Sequence, residues 1–439
     1  MTVQSSTRGP ESWRHGDAVT IGEMFDTLFG PGAPVRFSAY DGSTGGDPGA
    51  RIGIRLVRAR GVSYMVTSPG SLGMARAYLQ GDLEVDGVHP GDPYELLTIM
   101  EDLHMRRPSP GQAVQWLRSL GISTLMPPEP PALEQRPARR IGFGLRHSRL
   151  RDSTAISYHY DVSNHFYELV LGPSMTYTCA CYPSAEASLE DAQEHKYDLV
   201  ARKLGLTPGM RLLDVGCGWG GMVRHAVRNY GVSALGVTLS REQARWATRR
   251  IEAEGLAGKA EVRHLDYREV TERDFDAISS IGLIEHVGVR NYGSYFRFLR
   301  AKLRPGGRLL NHGITRRDNT SPGLERRGFI GRYVFPDGEL TGSGDIVRAV
   351  EDAGLEVQHQ ENLRVHYAKT LTQWCANLVT HWDAAVTDAG LPVAKVWGLY
   401  MAGSRLGFER NVIQLHQILA TRNTDDGDSQ YPLRHEFGV

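Results

Sequence analysis

LLDVGCGWGG, Leu212 to Gly221, is the segment on which the reading of the fold turns. An apolar run leads straight into glycines, which let a backbone turn tightly and come close to a ligand, and a helix is expected from about Met222. Gly216, Gly218 and Gly221 also satisfy the GxGxxG spacing. Taken alone the pattern fits a structural turn, a dinucleotide site or another nucleoside site. Outward from it the chain keeps a regular alternation. Arg211 to Val215, Ala234 to Thr238, Ala260 to His264, Asp276 to Ile281 and Arg308 to His312 are apolar or β-branched runs, with amphipathic stretches between them. That rhythm predicts an α/β domain built on a parallel, doubly wound sheet, with its ligand at the carboxyl ends of the strands.

Three features favour S-adenosylmethionine over NAD in this loop. Asp214 stands just before Gly216, where a carboxylate attracts the ammonium of an amino-acid ligand and repels a pyrophosphate. The second strand ends in VTLSREQ, Val237 to Gln243. No acid stands there for an NAD ribose, but Thr238 and Gln243 can hydrogen-bond ribose hydroxyls. After the third strand comes DYRE, Asp266 to Glu269, a place for polar groups to meet an adenine edge.

The chain has 439 residues, 41% hydrophobic and 23% charged, enough for two domains. Residues 1–18 read as a flexible tail. Residues 19–125 read as a small α+β domain. In it Val35, Phe37 and Ala39, then Ile52, Ile54 and Leu56, then Val62, Tyr64 and Val66 alternate as short antiparallel strands would. Helical spacing follows at Leu72 to Leu79, Tyr94 to Leu103 and Val114 to Leu120, and MPPEPP, Met126 to Pro131, marks the boundary. Residues 126–152 form a Pro/Arg-rich linker carrying Arg136, Arg139, Arg140, Arg146, His147, Arg149 and Arg151. A charge run is ordinarily a solvated connector; the functional alternative is contact with anionic lipid headgroups. The catalytic domain is expected over 153–420, with a loose polar tail over 421–439.

Lys+Arg 50 balances Asp+Glu 50, so no global charge steers the chain toward nucleic acid. Four cysteines and no apolar signal segment after Met1 fit a reducing cytoplasm. No apolar run reaches the roughly 20 residues of a bilayer span, so work on lipid would be done from the membrane surface. His, Cys and Glu show no paired metal-ligand spacing, and no metal is expected.

The segment YHYDVSNHFYELVLGPSMTYTCACY, Tyr158 to Tyr182, stands with GVTLSREQ, IEHVG at Ile284 to Gly288, NHGIT at Asn311 to Thr315 and HYAKTL at His366 to Leu371. Together with the glycine loop, these resemble the cyclopropane fatty acid synthase family, in the family's order, from about residue 150 to 420. The resemblance implies a seven-stranded, mostly parallel methyltransferase sheet with helical lid elements. It also implies methyl transfer from S-adenosylmethionine to the cis double bond of an unsaturated phospholipid acyl chain, through a carbocation deprotonated by bound bicarbonate. Such a cation needs a dry pocket, aromatic faces and a weak base. The product is a cyclopropane, or a methylene branch that a reductase could later saturate. Carried over position by position, the bicarbonate pocket falls on Cys179, Glu285, His312, Ile314 and Tyr367. By the same carry-over the S-adenosylmethionine contacts fall on Tyr177, Gly216, Thr238, Gln243, Asp266, Tyr267 and Arg268; Asp214 and Gly218 join them from the reading of the loop itself, and Tyr160, with Tyr177 and Tyr367, offers a π face to the sulfonium and the developing cation. The family further implies a homodimer, held at the inner face of the membrane, with the N-terminal domain presenting lipid or making dimer contacts.

Each residue also has a plainer reading. A cysteine among aromatics is more often buried filler, Glu285 with His286 can satisfy a helix start, and the stripe of Phe329, Tyr333, Val334, Phe335, Trp374, Leu378, Trp382, Trp397 and Tyr400 is more often core than acyl tunnel. Two other functions compete: a small-molecule N-methyltransferase, and a non-catalytic lipid-binding protein on a degenerate cofactor fold.

Overall fold

The computed structural model describes residues 18–134, 162–321, 328–435 and 437. The linker arginines, Tyr160 and nearly all of the N-terminal tail lie outside these residues. The chain divides into two compact units. The first takes the described residues up to Val88 together with Ile99–Pro131; the second takes His89–Thr98 and the described residues from Ala132 onward.

In the first unit the chain runs α1 (Ile21–Phe29), β1 (Arg36–Ala39), β2 (Thr44–Gly46), β3 (Gly53–Leu56), α2 (Ala59–Thr67), α3 (Ser71–Leu79) and β4 (Leu83–Asp86), then α4 (Tyr94–Asp102), which leads in from the second unit, and α5 (Pro110–Leu120). Four strands form one sheet in the order β2-β1-β3-β4. Two expectations are corrected here. Val62, Tyr64 and Val66 lie on helix α2, not on a strand; Val66 is 44% exposed while Val62 and Tyr64 are buried, so the alternation never described one buried face. In addition, β1 and β3 pair parallel, although β1 with β2 and β3 with β4 are antiparallel.

The second unit continues with α6 (Asn164–Leu171), α7 (Leu189–Leu204), β5 (Arg211–Val215), α8 (Gly221–Tyr230), β6 (Ser233–Thr238), α9 (Arg241–Ala253), β7 (Ala260–His264), β8 (Phe275–Ile281), α10 (Ile284–Val287), α11 (Tyr292–Lys302) and β9 (Leu303–Arg316). It ends with α12 (Phe329–Tyr333), α13 (Ser343–Asp352), β10 (Glu356–Asn362), α14 (Arg364–Thr380), α15 (Trp382–Ala389), α16 (Leu391–Glu409) and β11 (Ile413–Thr421). Its seven-stranded sheet has the order β10-β11-β9-β8-β5-β6-β7. Every pair from β9 to β7 is parallel; β11 alone runs against its neighbours β9 and β10. The sheet is therefore mostly parallel and doubly wound, and strand order reverses between β5 and β8, which opens a crevice at their carboxyl ends.

The apolar runs are continuous because the sheet is buried on both faces. Successive residues of one strand face opposite layers. Leu212, Ala277 and Leu310 pack with Val200, Leu204, Val223 and Ala226 of α7 and α8, whereas Leu213, Ile278 and Leu309 pack with Phe296, Leu299, Ile346 and Val350 of α11 and α13. Each of the larger side chains here, fully buried, contributes about 1.5–3 kcal/mol. His89–Thr98 joins this unit through rings: His89 meets Trp382 edge-on at 5.1 Å and the Arg405 guanidinium lies 3.6 Å from the Tyr94 ring centre. The chain just after Thr421, expected to be loose, is tied down at Arg422 and Tyr431 instead. The Arg422 amide donates to the Gly307 carbonyl, and the Arg308 guanidinium lies 4.9 Å from the Tyr431 ring centre.

Candidate active site

The glycine loop follows β5 and folds back over β6: the amides of Gly216 and Cys217 both donate to the Val237 carbonyl, at 2.9 and 3.0 Å. Gly216 and Gly218 take φ of 77° and 55°, a region where only glycine is free of strain. Gly221 is required for a different reason. A Cβ there would lie 2.1 Å from the Tyr197 hydroxyl, so the last glycine of the motif admits α7 rather than a ligand.

Beside this loop is a cleft lined by Gly216, Gly218, Thr238, Gln243, Tyr267 and Arg268 among the residues singled out from sequence, and further by Leu283, His286, Asn291 and Ser294. Thr238 Oγ1 donates to Gln243 Oε1 at 2.8 Å, which fixes both side chains at the end of β6. Asp214 and Asp266 are buried and are not among the residues lining this cleft. Asp266 is engaged by its neighbour, accepting from the Arg268 amide at 2.9 Å, from Nε at 2.8 Å and from the terminal guanidinium nitrogen at 2.6 Å. It therefore aims the guanidinium of Arg268. Asp214 is buried and accepts from Ser279 Oγ at 2.7 Å. Burial pushes its carboxyl up to about 6, against the Ser279 hydrogen bond and the nearby Lys196 charge.

Tyr177 stands elsewhere, in a chain of rings. Its hydroxyl donates to the Tyr400 hydroxyl at 3.0 Å. From Trp219 in the glycine loop the rings run to Tyr167 at 4.8 Å, Trp397 at 5.4 Å, Tyr177 at 5.5 Å, Trp374 at 5.5 Å and Tyr367 at 6.0 Å. The segment Thr176 to Cys181 is held from both sides by side chains. Tyr197 bonds Thr176 Oγ1 at 2.8 Å, Lys196 Nζ donates to Thr178 Oγ1 at 2.9 Å, and Thr370 Oγ1 accepts from the Ala180 amide at 3.1 Å.

Cys179 is buried, and its sulfhydryl donates to the carbonyls of Ala180 and Leu363 at 3.2 and 3.8 Å. Burial pushes the thiol well above its ordinary range. The same Leu363 carbonyl accepts from the Tyr367 amide at 3.1 Å, and the Leu363 amide donates to Leu415 of β11 at 2.8 Å. Leu415 is registered against Ile314 of β9, and the Ile314 amide donates to Glu285 Oε1 at 2.6 Å. One line of hydrogen bonds and strand pairing thus ties Cys179, Tyr367, Ile314 and Glu285 together, and His312 lies two residues before Ile314 on the same face of β9. Two polar groups here are buried with no hydrogen-bond partner among the described residues, Glu285 Oε2 and His312 Nε2; the same holds for the side-chain amide of Asn311, which the strand alternation turns to the other face of β9. Desolvation lifts the Glu285 carboxyl to about 7. Burial, with Lys196 and Lys203 nearby, holds the His312 imidazole well below its usual range.

Sequence reasoning passed over several residues of this site. Gln193, Lys196 and Lys203 are buried on α7, in step with the apolar stripe of Leu189, Ala192, Val200 and Leu204. Lysines in phase with a buried face were a signal available in the sequence. Asn291, just before α11, and Ser294, in its first turn, line the cleft from a stretch that carried none.

Residues 147–418 match the family described as mycolic acid cyclopropane synthetase. A Mycobacterium tuberculosis protein named as a probable fatty acid methyltransferase is 60% identical over 403 residues, covering 91% of this chain and 94% of that protein. The cyclopropane-fatty-acyl-phospholipid synthase of Escherichia coli K12 is 34% identical over 269 residues, 61% of this chain and 68% of that protein. Among solved structures, mycolic acid cyclopropane synthase CmaA1 complexed with SAH and CTAB aligns with a TM-score of 0.58 at 32% identity, covering 61% of this chain and 97% of that one. With the glycine loop, the crevice and these likenesses together, the chain belongs to the mycolic acid cyclopropane synthetase family of S-adenosylmethionine-dependent methyltransferases.

Proposed function

We propose that the protein transfers a methyl or methylene carbon from S-adenosylmethionine to the cis double bond of an unsaturated phospholipid acyl chain. The observation that carries this reading is that Glu285 Oε2, on α10, and His312 Nε2, on β9, are both buried with no hydrogen-bond partner among the described residues. Buried polar groups are almost always paired, so these two fit a small polar guest, and a carboxyl with an imidazole suits bicarbonate. When bound, S-adenosylmethionine supplies an electrophilic methyl, and bicarbonate supplies a weak base.

The chain's own residues do the rest. Asp214 and the open glycine loop favour a zwitterionic ligand carrying a nucleoside; Thr238 and Gln243 receive ribose hydroxyls, and Tyr267 and Arg268 border the adenine. Tyr177 and Tyr367, within the chain of rings, offer π faces to a developing cation and keep water from it. An alkene needs no base to attack, so the demand for a proton acceptor comes after methyl transfer. Glu285, with its carboxyl near neutrality, can take up that proton or pass it on. The cation then closes to a cyclopropane by losing a proton from the added methyl. Lost elsewhere, the proton leaves a methylene branch for a reductase.

No helix among the described residues is long and apolar enough to cross a membrane. The proposed attachment at the inner membrane face is through the basic linker 126–152, whose arginines can meet anionic headgroups. The N-terminal α+β domain, 19–125, serves lipid presentation or homodimer contacts. Lipid mass spectrometry of a host rich in oleoyl phospholipid tests the reaction. Acyl chains should gain one CH2 unit with this protein and not with its Glu285→Gln variant; unchanged acyl chains, or added carbon on amine headgroups, would overturn it.

A further inference from the structure

Behind His312 lies a polar path that the reaction scheme does not use. Lys203 of α7 is fully buried, and its ammonium donates both to Glu361 and to Gln417 Oε1, the latter at 2.6 Å. Gln417, buried on β11 directly opposite His312 in the register of β9 and β11, places its amide nitrogen 3.2 Å from His312 Nδ1. The opposite ring nitrogen, Nε2, has no partner among the described residues.

We infer that Lys203 and Gln417 are positioning residues that fix the tautomer of His312, so that it faces its pocket only as a hydrogen-bond donor. The logic is one of donors and acceptors. An ammonium has three donors and no acceptor, so the Gln417 oxygen must be the atom facing Lys203. The amide NH2 then faces His312 and can only donate, which makes Nδ1 an acceptor without a proton. In a neutral imidazole the proton therefore sits on Nε2, the free atom. Becoming an imidazolium would put N–H against N–H at Gln417 and a third cation beside Lys196 and Lys203, with no carboxylate bonded to the ring among the described residues. His312 is thus excluded as the base. It offers one N–H, which suits an anion's oxygen, and the role of proton acceptor falls to Glu285 or to the anion itself. Only this use of the N–H rests on the bicarbonate reading; the tautomer does not.

Histidine labelled with 15N in the full-length protein reports which ring nitrogen carries hydrogen, through long-range correlation to the ring carbon protons. The His312 signals are those missing from a His312→Asn variant. Wild-type protein should show the proton on Nε2. Gln417→Glu keeps the shape but presents an acceptor held ionised by Lys203, and should move the proton to Nδ1. Lys203→Met frees the amide to turn over and should give a mixture, which Lys203→Arg should not. Wild-type protein with the proton on Nδ1, or a Gln417→Glu spectrum like that of wild type, would overturn the inference. In lipid methylation Gln417→Glu should lower kcat by about tenfold to a hundredfold, the size of one hydrogen bond to a charged group, with KM for S-adenosylmethionine unchanged. A moved proton with an unchanged rate would count against the bicarbonate reading and leave the tautomer assignment standing.

Discussion

Replacing Glu285 with Gln should leave the protein nearly inactive and yet, in mildly alkaline solution, more stable. The carboxyl is held at about 7 against an ordinary 4.5, chiefly by desolvation. Its native form therefore binds a proton more tightly than its unfolded form does. Native stability is least affected below the unfolded value, declines as pH rises from about 4.5 to about 7, and stays reduced above that. At about 1.36 kcal/mol for each unit, burying the charge costs about 3 kcal/mol at about pH 8. Gln keeps an oxygen for the Ile314 amide and carries no charge, but it leaves an unpaired NH2, which costs about 1–2 kcal/mol. The variant should thus gain about 1–2 kcal/mol over wild type near pH 8 and nothing, or a small loss, near pH 5. Urea unfolding of both proteins without ligands, at the two pH values, reads the difference. A stability difference that does not change with pH would refute the burial argument. Methylation should fall at least about 100-fold, as for loss of a proton-transfer group. Activity close to wild type would show that Glu285 is only structural.

Asp214→Asn should weaken S-adenosylmethionine binding by about tenfold or more in calorimetry. The wild-type affinity should fall as pH drops through about 6, because protonation removes the charge that attracts the ligand's ammonium; affinity independent of pH there would argue against the contact. Gly221→Ala places a methyl against the Tyr197 hydroxyl and should cost about 1–3 kcal/mol in thermal unfolding. Adding Tyr197→Phe should recover part of that loss, and no recovery would mean that the clash lies elsewhere. Cys179→Ala should retain more methylation activity than Glu285→Ala, since the thiol is buried and donates to the backbone carbonyls of Ala180 and Leu363. A serious loss confined to the cysteine variant would reverse that order.

The central strand Arg211 to Val215 was legible as a mainly apolar run, and the edge strand Ala260 to His264 as an alternation of buried Ala260 and Val262 with Glu261 and Arg263; both form with the bounds read from sequence. β10, Glu356–Asn362, was not individually legible. As an edge strand of mainly polar residues, it is recruited by pairing with β11 rather than by its own pattern. Val62, Tyr64 and Val66 show the opposite failure, a period of two produced by chance within an amphipathic helix. In the site, the motifs pointed to Glu285 and Ile314, which meet, and to Tyr177, which stands among the rings rather than along the cleft. What motif reading cannot supply is the support behind a residue. Gln417 lies 105 positions from His312, and only the sheet register puts them side by side.

The most direct test supplies purified protein with S-adenosylmethionine carrying 13C in its methyl group, bicarbonate and oleoyl phospholipid vesicles, and locates the label by mass spectrometry and NMR. The label should appear in the acyl chain at the former double bond, with no transfer by Glu285→Gln. Label on an amine, or none on the lipid with cofactor demonstrably bound, would contradict the assignment of alkene methylation to this site.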